Sequence, residues 1–381
     1  MNILYILPLL STVGGQERTL TDKANWLAHQ GHQVLMVTYE HEGPLAYPLD
    51  DGVRHEDLCC HFFSLYSLPL YRRPWAALKM KRQFRERLTI LVKDFRPDVI
   101  VVAIPNTENF LSDIIQVAGD IPVIIESHLA HGHQVIRRGF TEKWLYYIFS
   151  PQRAIAKARL LIALTEGDAA YWKGIVQNVK VIPNPLPSAF LPDTAHRKHQ
   201  TTSCHRVIAV GRLAPQKRMD RLIDAFAQLS GKYPEWTLDI FGQGECYESL
   251  LQQIHRLQLT DRIRLLPPTR HIAEEYEKSD SFVLSSDYEG FGLVIIEAMA
   301  CGLPVVATDC PYGPSEIIED GKTGLLSQLN VQDLAAKIEW IITHKKEREE
   351  MGFRAHEASV RYHLEQVAPQ WLAAYQSANN R

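Results

Sequence analysis

The chain has 381 residues, a formal net charge of −3, 46% hydrophobic and 22% charged residues. That size favours two domains, and that composition excludes a collagen, a coiled coil or a disordered chain. The charge balance argues against a surface built for nucleic acid, so no nucleic-acid partner is expected. Cysteines at 59, 60, 204, 246, 301 and 310 form no CxxC pair, which suggests neither a zinc site nor a disulfide framework and fits a reducing, cytoplasmic setting.

Residues 2 to 9 form an apolar run without a basic leader and read as a buried strand, not a signal sequence. Gly14-Gly15 break the run, Glu17 to Gln30 carry a helical pattern, and Val34 to Thr38 form the next strand. From Tyr71 to Lys93 eight basic residues stand against Glu86 alone, with Trp75, Leu78, Met80 and Phe84 between them. Such a basic, partly amphipathic helix suits either a solvated face or contact with anionic headgroups or a pyrophosphate-linked acceptor. Strands Val99 to Ala103, Val123 to Glu126 and Leu160 to Leu164 continue the alternation, which implies a parallel sheet covered on both faces. No run of about 18 uncharged apolar residues occurs, so no membrane span is expected.

Pro183 to Cys204, rich in proline and polar residues, reads as a linker between domains. Alternation then resumes: strand Val207 to Val210, helix Arg218 to Leu229, strand Thr237 to Phe241, helix Tyr247 to Leu257, strand Ile263 to Leu266 and helix Ile272 to Ser279. Strand Ser281 to Leu284, helix Gly292 to Ala300, strand Pro304 to Thr308 and helices over Val331 to His344 and Lys346 to Glu357 complete a second α/β domain. His363 to Tyr375 has helical apolar spacing.

The segment SSDYEGFGLVIIEAMACGLPVVAT, residues 285 to 308, carries the chemistry. Amides near Gly290, Phe291, Gly292 and Leu293 would point, with the helix dipole, at an anion such as a diphosphate. Glu297 sits in LVIIEAMA, where an ionised carboxylate is costly without partners, and vicinal ribose hydroxyls would serve. Glu289, eight positions earlier, reaches toward a sugar beyond the phosphates. The plain alternative is a solvated loop acid and an exposed helix acid.

EGFGLVIIEAMACGLPVV resembles, without a gap, the retaining glycosyltransferases of family four, whose mark is two glutamates around a GFG-type loop. The resemblance implies a GT-B fold: two doubly wound Rossmann-like domains facing across a cleft, here 1–186 with the terminal helix 362–381 packing back, and 187–361. It implies that Glu297 binds ribose and Glu289 lies beside the donor sugar. GRLAPQKRMDRLIDAF is similar to the family's strand-end segment, which assigns Arg212 and Lys217 to the diphosphate; Arg218 departs from the family's usual glycine. Gly14 and Gly15 match a glycine loop facing donor phosphate and acceptor, and His128 in IIESHLAHGH matches a histidine that hydrogen-bonds the donor sugar. His131 and His133 stand near it, but the spacing is not that of a metal triad. Gly242, Gly244, Glu245 and Glu316 match loops beside the donor, and RLLPP at Arg264 to Pro268 departs from the family.

The expected catalytic set is therefore His128, Glu289, Arg212 and Lys217. No DxD pair stands at a strand end, so no metal and no cofactor are expected beyond the nucleoside-diphosphate sugar, with a UDP-sugar favoured. The resemblance implies hexosyl transfer with retention to a glycan or lipid-linked acceptor in surface polysaccharide or glycolipid synthesis, at the cytoplasmic face of the membrane. Two rivals remain: a nucleotide-sugar epimerase of the same architecture, and a non-catalytic partner subunit. An oxidoreductase lacks its dinucleotide fingerprint here.

Overall fold

The computed structural model describes residues 1–69, 71–104, 107, 110–128, 152–190 and 205–380. The chain divides into two compact units, Met1–Pro185 with Leu364–Arg381, and Leu186–His363. Each is an α/β unit on one parallel sheet, as a pattern of short apolar strands alternating with helices requires.

The first unit contains β1 (Asn2–Ile6), β2 (Gln33–Thr38), β3 (Val53–Asp57), β4 (Val99–Ile104), β5 (Val123–Ser127), β6 (Leu160–Ala163) and β7 (Val179–Val181). They lie in the order β3-β2-β1-β4-β5-β6-β7, all parallel. Central strands β4 and β5 are buried along their whole length, whereas edge strand β3 alternates buried and open positions. That contrast is why VIVVAI reads as a strand and VRHED does not. The expected strand 2 to 9 stops at Ile6 because Pro8 has no N–H for the ladder; its carbonyl instead accepts the amides of Tyr39 and Glu40. Helix Leu364–Asn379 buries Val367, Trp371 and Tyr375, and the Trp371 indole donates to Pro183 O.

The second unit contains β8 (His205–Val210), β9 (Trp236–Phe241), β10 (Ile263–Leu266), β11 (Ser281–Leu284), β12 (Val305–Thr308) and β13 (Gly324–Ser327). Their order is β10-β9-β8-β11-β12-β13, again all parallel. Helices Met219–Ser230 and Val331–Thr343 pack on this sheet through Leu222, Phe226, Leu334 and Ile338.

Two expectations need correction. Leu186 and Phe190, read as linker, are buried within the second unit, where the Leu186 amide bonds Tyr362 O and Phe190 meets the Tyr276 ring; residues 191–204 lie outside the described residues. The helix expected from Arg218 begins at Met219, because Arg218 itself is left-handed (φ 47°, ψ 44°).

Candidate active site

In the second unit the connections diverge from β8 and β11, and in such sheets ligands bind outside the carboxyl ends of the strands at that switch point. The loop after β8 carries Gly211 to Lys217, and the loop after β11 carries Ser285 to Gly292. Side chains and backbone lace the two loops together. The Gln216 amide group donates to Tyr288 O at 2.7 Å, Asp287 N donates to Gln216 O at 2.9 Å, and Ser285 Oγ donates to Lys217 O at 2.9 Å. Buried Arg221 adds bonds to Ser285 O and, at 2.6 Å, to Asp287.

This lacing sets the central pair. Glu289 is 5% exposed, and its Oε1 accepts from Lys217 Nζ at 2.7 Å and from Ser286 Oγ at 2.6 Å. Its backbone is held on both sides, by Pro311 O and by the Tyr312 amide. A buried carboxylate needs such donors, so Glu289 is not the solvated loop acid of the plainer reading. An ammonium has three N–H groups, so Lys217 keeps donors beyond the one given to Glu289. Arg212, on the same loop, is exposed and has no side-chain hydrogen bond or ion pair among the described residues.

Gly292 precedes helix Leu293–Ala300 with φ +101°, a conformation that favours glycine. The amides of Gly290, Phe291, Gly292 and Leu293 have no acceptor among the described residues, so a row of N–H groups stands open at a helix N-terminus. Phe291 is seated against Gly313, where a Cβ would lie 2.0 Å from Phe291 O at φ +108°. Behind the β8 loop, a Cβ at Gly242 would lie 2.0 Å from Gly211 O, and one at Gly244 2.4 Å from Leu213 O. At both glycines, which the resemblance puts in a loop beside the donor, the missing Cβ allows backbone to pack on backbone.

Glu297 is also buried, at 9% exposure, and Oε2 accepts from the Tyr276 hydroxyl at 3.3 Å. It is not an exposed helix acid. Burial and then the Glu297 charge push the Tyr276 phenol well up, so it remains a donor. Likewise burial, then the Glu289 charge, pushes the Cys310 thiol up and keeps it neutral. Arg264, in the departing RLLPP segment, forks onto Asp239 at 2.7 and 2.6 Å. Glu316 is exposed in the first turn of Pro314–Ile317.

Arg218 occupies a left-handed position, which costs a side-chain-bearing residue about 1–2 kcal/mol. It is held there by Asp220, at 3.0 Å from Nε and 2.9 Å from Nη2, and by Asp287 at 3.5 Å. The departure from glycine thus has a local compensation.

The first unit holds the other expected residues. Gly14 caps helix Gly15–His29 in extended backbone (φ −145°), so no left-handed strain demands glycine; a Cβ would instead meet the Glu17 carboxylate at 2.3 Å. His128, just past β5, is 8% exposed, with Nε2 3.3 Å from Glu126 Oε2 and Nδ1 buried without a partner among the described residues. His131 and His133 lie outside the described residues. Among the described residues, no cluster of three or more His, Cys, Asp or Glu side chains could hold a metal.

Sequence reasoning missed Ser286, Gln216 and Tyr276, whose types carry no signal without their partners. It also missed Lys23 and Glu126, both fully buried and joined at 2.7 and 2.6 Å. A glutamate ending the apolar run VIIE was the available clue.

The family model for "Glycosyl transferases group 1" matches residues 194–358, and that for "Glycosyl transferase 4-like domain" matches 14–185. An uncharacterized glycosyltransferase of Haemophilus influenzae is 26% identical over 96% of this chain and 98% of its own length. The amylovoran biosynthesis glycosyltransferase AmsD of Erwinia amylovora is 26% identical over 97% and 98%. The S. aureus TarM structure in complex with Fondaparinux, alpha-GlcNAc-glycerol and UDP has the same fold, with a TM-score of 0.78, 16% identity and 98% and 100% coverage.

Proposed function

The chain belongs to the group 1 glycosyltransferases of GT-B fold, and from that premise we propose that it transfers a hexose from a UDP-sugar, with retention, to a glycan or lipid-linked acceptor of surface polysaccharide. One observation carries this reading. The buried Glu289–Lys217 pair, exposed Arg212 and the open amides of Gly290 to Leu293 all stand at the carboxyl edge of β8 and β11.

The chemistry needs charge control on the leaving group. As the glycosidic bond breaks, the diphosphate gains negative charge, and fixed donors there lower the barrier without reorganising. Lys217 supplies a point charge steadied by Glu289, Arg212 a bidentate fork, and the helix amides further donors. In this scheme Glu297 accepts from vicinal ribose hydroxyls, Glu289 faces the transferred sugar, His128 binds a sugar hydroxyl, and Gly14 and Gly15 leave room for phosphate and acceptor. The cations and amides replace a metal, so EDTA should leave turnover intact.

UDP is the favoured base because TarM is described in complex with UDP, and a polysaccharide acceptor is favoured because AmsD is named for amylovoran biosynthesis. Incubation with a panel of nucleotide sugars and a membrane glycolipid extract tests both. Acceptor-dependent UDP release supports transfer; isomerised donor without transfer indicates an epimerase; no turnover of any donor defeats the reading.

A peripheral membrane contact is supported by helix Arg73–Phe95. Tyr71, Trp75 and Leu78 are 72%, 78% and 63% exposed at its start, beside Arg72 and Lys79. Part of its charge is neutralised locally, since Arg82 pairs with Glu86, and Lys81 and Arg85 with Asp113. Among the described residues no helix is long and apolar enough to cross a membrane. Co-sedimentation with anionic vesicles at low salt, lost in Trp75→Ala/Leu78→Ala, is the expected result; absence of wild-type binding removes the idea.

A further inference from the structure

Beneath His128 lies a closed polar network in the first unit. Glu126 is fully buried; Lys23 Nζ donates to Oε1 at 2.7 Å and to Oε2 at 2.6 Å. The Tyr375 hydroxyl, from helix Leu364–Asn379, also donates to Oε1, and Tyr5 OH lies 2.9 Å from Tyr375 OH. Since the Tyr375 proton goes to Glu126, Tyr5 donates to Tyr375. His128 Nε2 stands 3.3 Å from Oε2. Each carboxylate oxygen therefore has two neighbours, which fills the acceptor capacity of an ionised carboxylate.

The protonation states follow from burial and charge. For Glu126, burial alone would raise the carboxyl, but Lys23 and His128 outweigh it and hold it below its usual range. For His128, burial lowers the imidazole, against the pull of Glu126, so the ring is neutral. A neutral ring facing an ionised carboxylate must present N–H to it. Its proton is then on Nε2, and Nδ1 is a bare lone pair, buried and without a partner among the described residues.

We infer that Glu126, clamped by Lys23 and Tyr375, is a positioning residue that fixes His128 as the Nε2–H tautomer, so that Nδ1 accepts a hydrogen bond from a ligand hydroxyl. The alternative tautomer would set a lone pair against a carboxylate. Lys23 serves the clamp and is itself enclosed by aromatic faces, 3.5 Å from the Trp371 ring centre and 5.5 Å from that of Tyr5. The terminal helix thereby contributes to the orientation of a residue 247 positions away, through Tyr375 and Trp371. That the hydroxyl belongs to a sugar rests on the transfer reading above; the tautomer does not.

Two-bond 1H–15N correlation of protein labelled with 15N-histidine tests it, with the His128 signal identified by its loss in His128→Gln. The expected result is a neutral Nε2–H pattern in the wild type between pH 6 and 8, and a shift toward the Nδ1–H form in Glu126→Gln. An imidazolium or an Nδ1–H pattern in the wild type overturns the proposal, and so does an unchanged pattern in a folded Glu126→Gln. If that variant does not fold, the wild-type spectrum alone decides. With a UDP-hexose that turns over, a series of its deoxy analogues should contain one rejected by the wild type and accepted no worse than its parent by His128→Ala. No such analogue also overturns the proposal. Failure of every donor to turn over counts against the transfer reading and leaves the spectrum standing.

Discussion

Removing the Lys217 ammonium should damage stability and turnover by separable routes. In Lys217→Met, Glu289 stays 5% exposed with, among the described residues, only Ser286 Oγ beside Oε1, an uncompensated carboxylate in a poorly solvated place. Breaking a buried pair from one side costs about 3–5 kcal/mol. The Lys217 side chain is 17% and that of Glu289 7% exposed, so little screening reduces that figure, and we expect about 3 kcal/mol. Adding Glu289→Gln removes the stranded charge, and the double variant should recover most of that loss. Turnover should not follow. A lost charge contact to the leaving group costs about 10²–10³ in kcat, and the double variant lacks it too. Urea unfolding and UDP-release kinetics on the wild type, both single variants and the double variant give the cycle. Wild-type kcat in Lys217→Met, or turnover recovered in the double variant, would refute the reasoning; so would stability unchanged by the single substitution.

Three further outcomes follow from particular residues. Gly313→Ala places a Cβ against Phe291 O at a φ that L residues avoid, so UDP affinity and melting temperature should both fall, the latter by several degrees; calorimetry reads both. Arg218→Gly relieves about 1–2 kcal/mol of left-handed strain and loses ion pairs of a partly exposed cation worth up to about 1 kcal/mol. Its unfolding free energy should therefore stay level or rise, and a clear fall would contradict the compensation described above. For Lys23, burial lowers the ammonium to about 8 from a value of 10.5, against the pull of Glu126. The folded protein releases that proton near pH 8 while the unfolded chain holds it to about pH 10.4, so the burden on the fold is present below pH 8 and is relieved as pH rises. Between pH 8 and 10 wild-type stability should gain on Lys23→Met/Glu126→Gln, with a limiting slope of about 1.4 kcal/mol per pH unit; a flat difference in urea titrations would exclude it.

Strands buried on both faces were legible because burial writes itself as continuous apolar sequence, as in VIVVAI at β4 and VVAT at β12. Edge strand β3 and short β7 and β13 were not, since VRHED has half-open positions and VKV is too short to carry a period. At the site, the segment Glu289 to Glu297 was legible from its glycines and from a carboxylate inside an apolar helix. What holds it was not. The Lys217–Glu289 bond spans 72 positions and the Tyr375–Glu126 bond 249, and pairing at such separations is fixed by the fold, not by local pattern. Arg218 shows the reverse case, in which the sequence departure was visible and its cause, a left-handed cap braced by Asp220, was not.

The central claim is that Glu297 and the open amides after Glu289 hold a nucleoside diphosphate without a metal. Isothermal titration of UDP in EDTA tests it most directly. We expect binding by the wild type, unaffected by added Mg²⁺ and weakened about tenfold or more in Glu297→Ala, in line with the loss of a charged hydrogen bond worth about 1.5–3 kcal/mol. No heat of binding from any nucleoside diphosphate, or an affinity unchanged in Glu297→Ala, would contradict it.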